Sequence, residues 1–524
     1  MKRRDFCKGL AVTLAAGTLA PAAALPQAGA ATALVGRAVP DDYYTLWYRS
    51  DRCGADLRHD YYYSDSLFDH PATEYDNQLA LATLGMAAAA DCTWESDQRY
   101  WMEGEVGRAD HIRDAFAKLG FTEVQLFNYT HSLNDTPDTV GCAIARKTLV
   151  RGGRQVTIIG AFLRGSGYGA EWSGNLHAGP GSAHVGFVTA ARQLVEKIRA
   201  YVQASAKRQP LGTLKLWMGG YSRGGGVANL VAARLPAVLP QLEKKNTFVY
   251  TFAAPASLTA ADCPDLQQDY DNNHAADGSL KKNWGTSNIF NIVSSGDVIP
   301  RILPAEWGFY RNGNDRFLPS TVIPEELQAL NDRSAGMEGT PMDFGRLAVS
   351  EETDAVLRSM LDLFCDRQTY YKDYEDAMRC MLQCATTRTE EEVTRGIVRD
   401  DATVVAQLRS MELMQRFPQE KLERCVQAAS ALSRPVLEKL GSAVPLQAQQ
   451  IVIPMLAVGL CFELQPETVQ LVADFVLSTI TVKGQLSGIL KTVLCHFQEN
   501  YITVLEAYDP ADHGMTPYTR REEL

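Results

Sequence analysis

The residues most able to do chemistry lie in LKLWMGGYSRGGGVANLVAARL, residues 214–235, where an apolar run meets Gly220-Tyr221-Ser222-Arg223-Gly224 and then a run of small apolar residues. Small residues at Gly220 and Gly224 permit a sharp strand-to-helix turn that lifts the Ser222 hydroxyl clear of the backbone. Gly225 and Gly226 let the following helix pack closely. The helix start also aims unpaired N–H groups at the serine, so the Arg223 N–H is placed to stabilise negative charge developing on a carbonyl oxygen. A glycine-rich turn without chemistry is the bland alternative, and the apolar run before it and helical run after it weigh against that.

A serine hydroxyl needs a base, and the base needs an acid that fixes its tautomer. Asp297 directly follows the apolar stretch NIFNIV, in a Ser-Ser-Gly turn, whereas Asp262, Asp265 and Asp315 read as ordinary solvated loop charges. Of nine histidines, only His496 and His513 follow Asp297. An apolar run, LKTVLC, delivers His496, and Tyr501 is near enough in sequence to pack beside it. His513 sits in the polar, proline-bracketed PADHGMTPY, where a surface residue is expected. An unexpected chain order would bring in His177 or His184.

These residues need a scaffold. LALATLGMAAAA reads as a helix within about 73–90, and DHIRDAFAKLGF as one ending near Gly120. TVGCAIARKTLV and QVTIIGAFLRG read as strands joined by a Gly-Gly turn, so a sheet begins near residue 138. A long helix through HVGFVTAARQLVEKIRAYVQ, the strand TLKLWMGG, a helix from Arg223, and the strands NTFVYTFAA and NIFNIV follow. That alternation predicts a mostly parallel sheet covered on both faces. From about 325 to 480 the pattern turns helical, as in FGRLAVSEETDAVLRSMLDLF and DYEDAMRCMLQC. The apolar run IVIPMLAVGLCF is shorter than the roughly 17–25 residues that cross a bilayer. Pro454 is expected to interrupt it, and it reads as a buried helix or the lining of an acyl-binding face.

At 524 residues, 46% apolar and 22% charged, the chain has ample core, which excludes a disordered chain and a small cross-linked scaffold. Lys and Arg number 51 against 62 Asp and Glu, a net charge of -11 without a basic block, which argues against nucleic acid. Residues 1–30 read as a signal peptide of twin-arginine type, from Arg3-Arg4 with Asp5, Phe6 and Lys8 and a weakly apolar stretch behind them. Removing its four basic and one acidic residues leaves 47 basic against 61 acidic, a net charge of -14. Ten cysteines then remain, allowing about one to three disulfides without fixing any pairing. Cys380 and Cys384 have no nearby second pair or histidine, so no zinc site is expected.

Taken together, these motifs resemble the class 3 lipase family of α/β-hydrolases, in particular a bacterial secreted lipase-like group. The resemblance runs over about 60–310 and resumes near 490–505. AFLRGSGYGAEWSGNL looks like the family's strand and arginine-glycine-serine turn followed by a tryptophan, HVGFVTAA like its histidine-led helix start, and GYSRGGGVANLVAARL like its serine turn. FVYTFAAP and SGDVIPRILP match the strand ending in alanine-proline and the segment with the catalytic aspartate. The resemblance implies Ser222 as nucleophile, Asp297 as orienting acid, and Ser166 beside Arg223 as oxyanion donors. It implies a structural role for His184 and support of the oxyanion loop by Glu171 and Trp172. Ser166 also follows a strand and a glycine, so its N–H and hydroxyl could both face an oxyanion. Tyr221 and Arg223 replace the histidine and small residue of many family lipases, and the long helical stretch before His496 has no counterpart in the compact fungal enzymes.

The expected fold is an α/β-hydrolase with a mostly parallel sheet and a large helical insertion or cap. Its expected division is a leader over 1–30, a core over 31–320, a helical insertion over 321–484, and a return over 485–524 bearing His496. The expected activity is carboxylic-ester hydrolysis through Ser222, His496 and Asp297, with no metal or organic cofactor. The expected substrate is an acyl ester or lipid, met in the periplasm or outside the cell after twin-arginine export, with peripheral lipid contact and no transmembrane span. A phospholipase, a small-ester esterase and an inactive secreted binding protein remain as alternatives.

Overall fold

The tyrosine-rich stretch near the start of the described chain forms a hairpin that the sequence pattern did not suggest. Strands β1 (Asp42–Ser50) and β2 (Ala55–Tyr63) pair antiparallel along their whole length, burying Leu46 and Tyr48 from one and Tyr61 and Tyr63 from the other. Period-two burial of this kind suits large aromatic side chains on a half-covered ribbon. The computed structural model describes residues 36–50, 55–91, 104–105, 109–131, 138–165, 175, 184–259, 286–294, 297, 299–301, 309–318, 376–377, 380–381, 383–384, 399–440, 446–464, 496–511 and 514–517. The leader, Ser166, Glu171, Trp172, His177, Asp262, Asp265 and His513 lie outside those residues, as does FGRLAVSEETDAVLRSMLDLF.

Helix α1 (Asn77–Ala89) is capped by Asp76, whose carboxylate accepts the Leu79 N–H at 2.9 Å, and every one of its residues is buried. Its alanine-rich sequence costs little side-chain entropy and lets neighbours approach closely. Helix α2 (Asp110–Lys118) follows, and then the sheet begins with β3 (Thr122–Phe127), earlier than the expected start near residue 138. Thr122–Phe127 mixes polar and apolar residues because it is an edge strand, and a register shift between Thr122 and Gln125 irregularises its pairing. Next come β4 (Cys142–Arg151) and β5 (Arg154–Leu163), joined at Gly152-Gly153. Both glycines have positive φ, 53° and 74°, as a two-residue hairpin turn that follows the strand twist demands.

The remainder alternates as expected: α3 (Val185–Arg208), β6 (Thr213–Tyr221), α4 (Arg223–Val238), β7 (Thr247–Phe252), β8 (Ile289–Ser294) and β9 (Asn314–Leu318). The seven strands lie in the order β9-β8-β7-β6-β5-β4-β3, so chain order and spatial order coincide. The pairs from β5 through β9 are parallel and those among β3, β4 and β5 antiparallel. Helices α3 and α4 share one buried cluster with one face of the sheet, while α1 and the hairpin share another with the opposite face. Gly219 lets α1 close on β6, since a Cβ there would lie 2.3 Å from Thr83 Cγ2. This is an α/β-hydrolase fold with a mostly parallel central sheet.

Between Asp376 and Leu464 the described chain is mainly helical. Helices α5 (Asp401–Ser410), α6 (Gln419–Leu440) and α7 (Leu446–Cys461) share a third cluster that includes Cys380, Met381, Met414, Leu422 and Val458. Helix α7 runs through Pro454 instead of breaking there. Burial of Ile453, Met455, Ala457 and Val458 around the proline favours the helix and offsets the roughly 3 kcal/mol that an interior proline costs. Among the described residues no helix is long and apolar enough to cross a membrane. Cys142, Cys384, Cys425 and Cys461 carry free thiols. Helix α8 (Gln498–Ala507) then returns to the cluster of α1.

Candidate active site

Ser222 occupies the turn between β6 and α4 with φ 53° and ψ −124°. A non-glycine residue held there stores roughly 1–3 kcal/mol of strain, and the surroundings impose it. The Ser222 N–H donates to the Phe252 carbonyl at 2.9 Å, and the Ser222 carbonyl accepts from the Gly226 N–H at 3.0 Å. The glycines that the motif requires have measurable reasons. A Cβ on Gly220 would lie 2.4 Å from the Gly224 carbonyl oxygen, and one on Gly224 would lie 2.4 Å and 2.5 Å from the carbonyl oxygens of Arg164 and Leu163.

His496 and Asp297 meet this serine from elements far away in sequence. Asp297 follows β8, is fully buried, and accepts the Ile299 N–H on Oδ1 at 2.9 Å. His496 lies just before α8, with Nδ1 2.8 Å from Asp297 Oδ2 and Nε2 2.8 Å from Ser222 Oγ. A carboxylate beside Nδ1 holds the proton there, leaving Nε2 to accept the serine hydroxyl. The structure therefore brings Ser222, His496 and Asp297 into one hydrogen-bonded line.

Two tyrosines steady the line. The Tyr501 hydroxyl donates to Asp297 Oδ2 at 2.8 Å and accepts the Ser294 N–H at 3.1 Å. The Tyr221 hydroxyl donates to the His496 carbonyl at 2.5 Å. Burial pushes the Tyr221 phenol well above its ordinary range, with smaller contributions from Tyr501 and Asp297. It thus keeps its proton through the neutral range. The sequence suggested proximity for Tyr501 but gave no sign of the Tyr221 bond, which joins residues 275 apart.

Arg223 enters as the first residue of α4. Its guanidinium is buried, donates to the Thr139 carbonyl at 2.9 and 2.8 Å and to Asn175 Oδ1 at 2.8 Å, and lies 5.1 Å from the centre of the Phe187 ring. The side chain is thus an anchor for the start of the helix. His184 is fully buried as the cap of α3, with Nε2 2.7 Å from the Asn175 carbonyl and its ring stacked on Phe187 at 4.0 Å. Arg223 and His184 therefore pin the same residue, Asn175. Asp315 accepts from Arg311 and from Asn291 Nδ2, an ion-paired position on β9 rather than a solvated loop. Among the described residues no group of His, Cys, Asp and Glu is arranged to hold a metal ion.

A strained serine between a parallel strand and a helix, a histidine and a buried aspartate thus stand together on the α/β-hydrolase fold. Residues 165–307, which run from the glycine before Ser166 to just beyond Asp297, match the model of the family described as lipase (class 3). No curated protein matches the chain. Similar solved structures include the lipase–propeptide complex of Rhizomucor miehei, at 19% identity over 46% of this chain and 68% of that one, TM-score 0.30. Others are lipase II of Rhizopus niveus, at 17% identity over 46% and 80%, TM-score 0.29, and the lipase of Rhizopus microsporus var. chinensis, at 18% over 47% and 75%, TM-score 0.30. These relatives are fungal, whereas the sequence motifs pointed to a bacterial group.

Proposed function

We propose that the chain is a serine-dependent carboxylic-ester hydrolase acting on lipid or other acyl esters, as in the bacterial secreted lipase-like group. The observation that carries this reading is the hydrogen-bonded line Ser222–His496–Asp297, with both links at 2.8 Å. His496 Nε2 takes the Ser222 proton as Oγ attacks the acyl carbonyl, and Asp297 stabilises the imidazolium that forms. The Arg223 N–H, together with Ser166, binds the oxyanion. His496 then protonates the leaving alcohol, activates water against the acyl-enzyme and restores Ser222. No step requires a metal or an organic cofactor. The match over residues 165–307 supports the same chemistry.

Residues 1–30 are proposed as a twin-arginine leader that sends the folded body out of the cytoplasm, and 321–484 as a helical insertion between the core and its returning segment. Sequencing the N-terminus of the exported protein tests the leader, and a product beginning at Met1 overturns it.

The decisive test is labelling with a fluorophosphonate probe, mapped by mass spectrometry, alongside hydrolysis of chromogenic esters of increasing acyl length. Wild type should label at Ser222 and Ser222→Ala should lose hydrolysis by about 10³-fold or more. Full activity in Ser222→Ala rules the reading out. A rate that rises with chain length points to lipids, and a rate confined to short esters to a small-ester esterase.

A further inference from the structure

We propose that Asp91 is a positioning residue that ties the oxyanion side of the site to the histidine side. Asp91 follows Ala90, the cap of the buried helix α1, and one of its carboxylate oxygens, Oδ1, accepts the Gly165 N–H at 2.6 Å. The other, Oδ2, accepts from Gln498 Nε2. Gly165 is the residue before Ser166, and Gln498 is two residues after His496. One side chain thus bridges the segments proposed to supply an oxyanion donor and the general base.

The surroundings fix the bridge at both ends. The peptide before Asp91 is held by the Tyr129 hydroxyl, which donates to the Ala90 carbonyl at 2.6 Å, and the Asp91 N–H donates to Ala88 at 3.1 Å. A Cβ on Gly165 would lie 3.3 Å from Asp91 Oδ1 and 3.8 Å from the Tyr221 carbonyl oxygen, so Gly165 sits between the carboxylate and the strand end that precedes Ser222. Gln498 is buried as the first residue of α8, the helix whose Tyr501 holds Asp297. A shift of Asp91 therefore moves Gly165 and the histidine segment together. Hydrogen bonds to a charged acceptor are the strong ones, and misplacement of a reacting group by about 1 Å is enough to cost rate.

This inference rests on the serine-hydrolase reading for its kinetic consequence but not for the bridge itself, so two readouts separate them. Asp91→Ala should lower kcat by about ten- to hundred-fold with KM changed less than threefold. Asp91→Asn should stay close to wild type, because the Gln498 amide can turn its oxygen toward the new amide. Gln498→Glu sets two carboxylates against each other and should fall about tenfold, whereas Asp91→Asn with Gln498→Glu restores a donor–acceptor pair and should recover most of that loss. Hydrogen–deuterium exchange should quicken in Asp91→Ala in the peptides containing Gly165 and Gln498 together, with α6 unchanged. Unchanged exchange in both peptides, or a double variant no faster than Gln498→Glu, overturns the bridge. A wild type that neither labels at Ser222 nor cleaves any ester overturns the hydrolase reading instead, and the exchange experiment still decides the role of Asp91.

Discussion

On the side of the sheet covered by α3 and α4, the strand residues in the core are Ile159, Leu163, Leu216, Met218, Val249 and Ile289. On the side covered by α1 and α8 they include the aromatic Phe162, Trp217, Phe248, Tyr250, Phe252 and Phe290 beside Ile158 and Ile292. The aliphatic side carries the serine helix, which closes on the sheet through Gly224 and Gly225 with contacts too tight for a side chain. The aromatic side carries His496 and α8, and its large rings bring polar groups that have to be matched. Trp217 Nε1 donates to Thr83 Oγ1 at 2.7 Å, the Tyr63 hydroxyl donates to Asp65 at 3.0 Å, and Lys147 Nζ meets Asp65 at 2.5 Å with both partners buried. Close glycine packing, with backbone hydrogen bonds and the Arg223 anchor, therefore holds the nucleophile, and hydrogen bonds from Tyr221 and Tyr501 hold its base and acid. That division has consequences that separate substitutions can test.

The largest effect should come from the buried ion pair. Burial lowers the Lys147 pKa, and its bond to Asp65 opposes that only in part. Lys147→Met leaves the Asp65 carboxylate without its cation in the core, and should destabilise the protein by about 3–5 kcal/mol in denaturant unfolding. Adding Asp65→Leu should recover much of the loss, because a well-packed apolar pair can replace a buried ionic one. A loss below about 1 kcal/mol would mean that packing alone holds the aromatic side too.

On the aliphatic side the corresponding probe is Gly224→Ala. Its Cβ meets two backbone oxygens rather than a flexible side-chain tip, so the helix must withdraw at a cost of about 1–3 kcal/mol. Because the withdrawal moves Ser222, fluorophosphonate labelling should slow more than stability falls. Equal loss of both would show that the helix, and not the turn, absorbs the clash.

The same division explains what could be read from the sequence. Gly220, Ser222 and Gly224 were legible because the turn is local and its steric demands fall within five residues. Asp297 and His496 were legible through the apolar runs that deliver them and through their order after Ser222. Asp91 was not, although a single acid ending the apolar run LALATLGMAAAA was a signal for a polar partner. Its partners lie 74 and 407 residues away, and no periodicity encodes such pairings. Much the same is true of the β1–β2 hairpin, whose partly covered tyrosines read as a polar-aromatic stretch, and of β3, a short edge strand without a continuous apolar run.

The smallest effect, and the one that discriminates most finely, should follow Tyr501→Phe. The ring stays packed against Tyr221, at 5.5 Å between centres, so the aromatic core keeps its shape. Only the hydroxyl that donates to Asp297 and accepts from Ser294 is lost. A hydrogen bond of this kind contributes about 1 kcal/mol net, and Asp297 retains the Ile299 N–H and His496. If the hydroxyl orients the carboxylate toward His496 Nδ1, kcat should fall roughly fivefold to tenfold while KM for a short ester stays constant, because orientation of the base matters in the transition state and not in substrate binding. A Tyr501→Phe enzyme with unchanged kcat but reduced stability would instead place the hydroxyl's contribution wholly in the fold. The polar matching on the aromatic side would then serve the core and leave the alignment of acid and base to Asp297, Ile299 and the Tyr221–His496 bond.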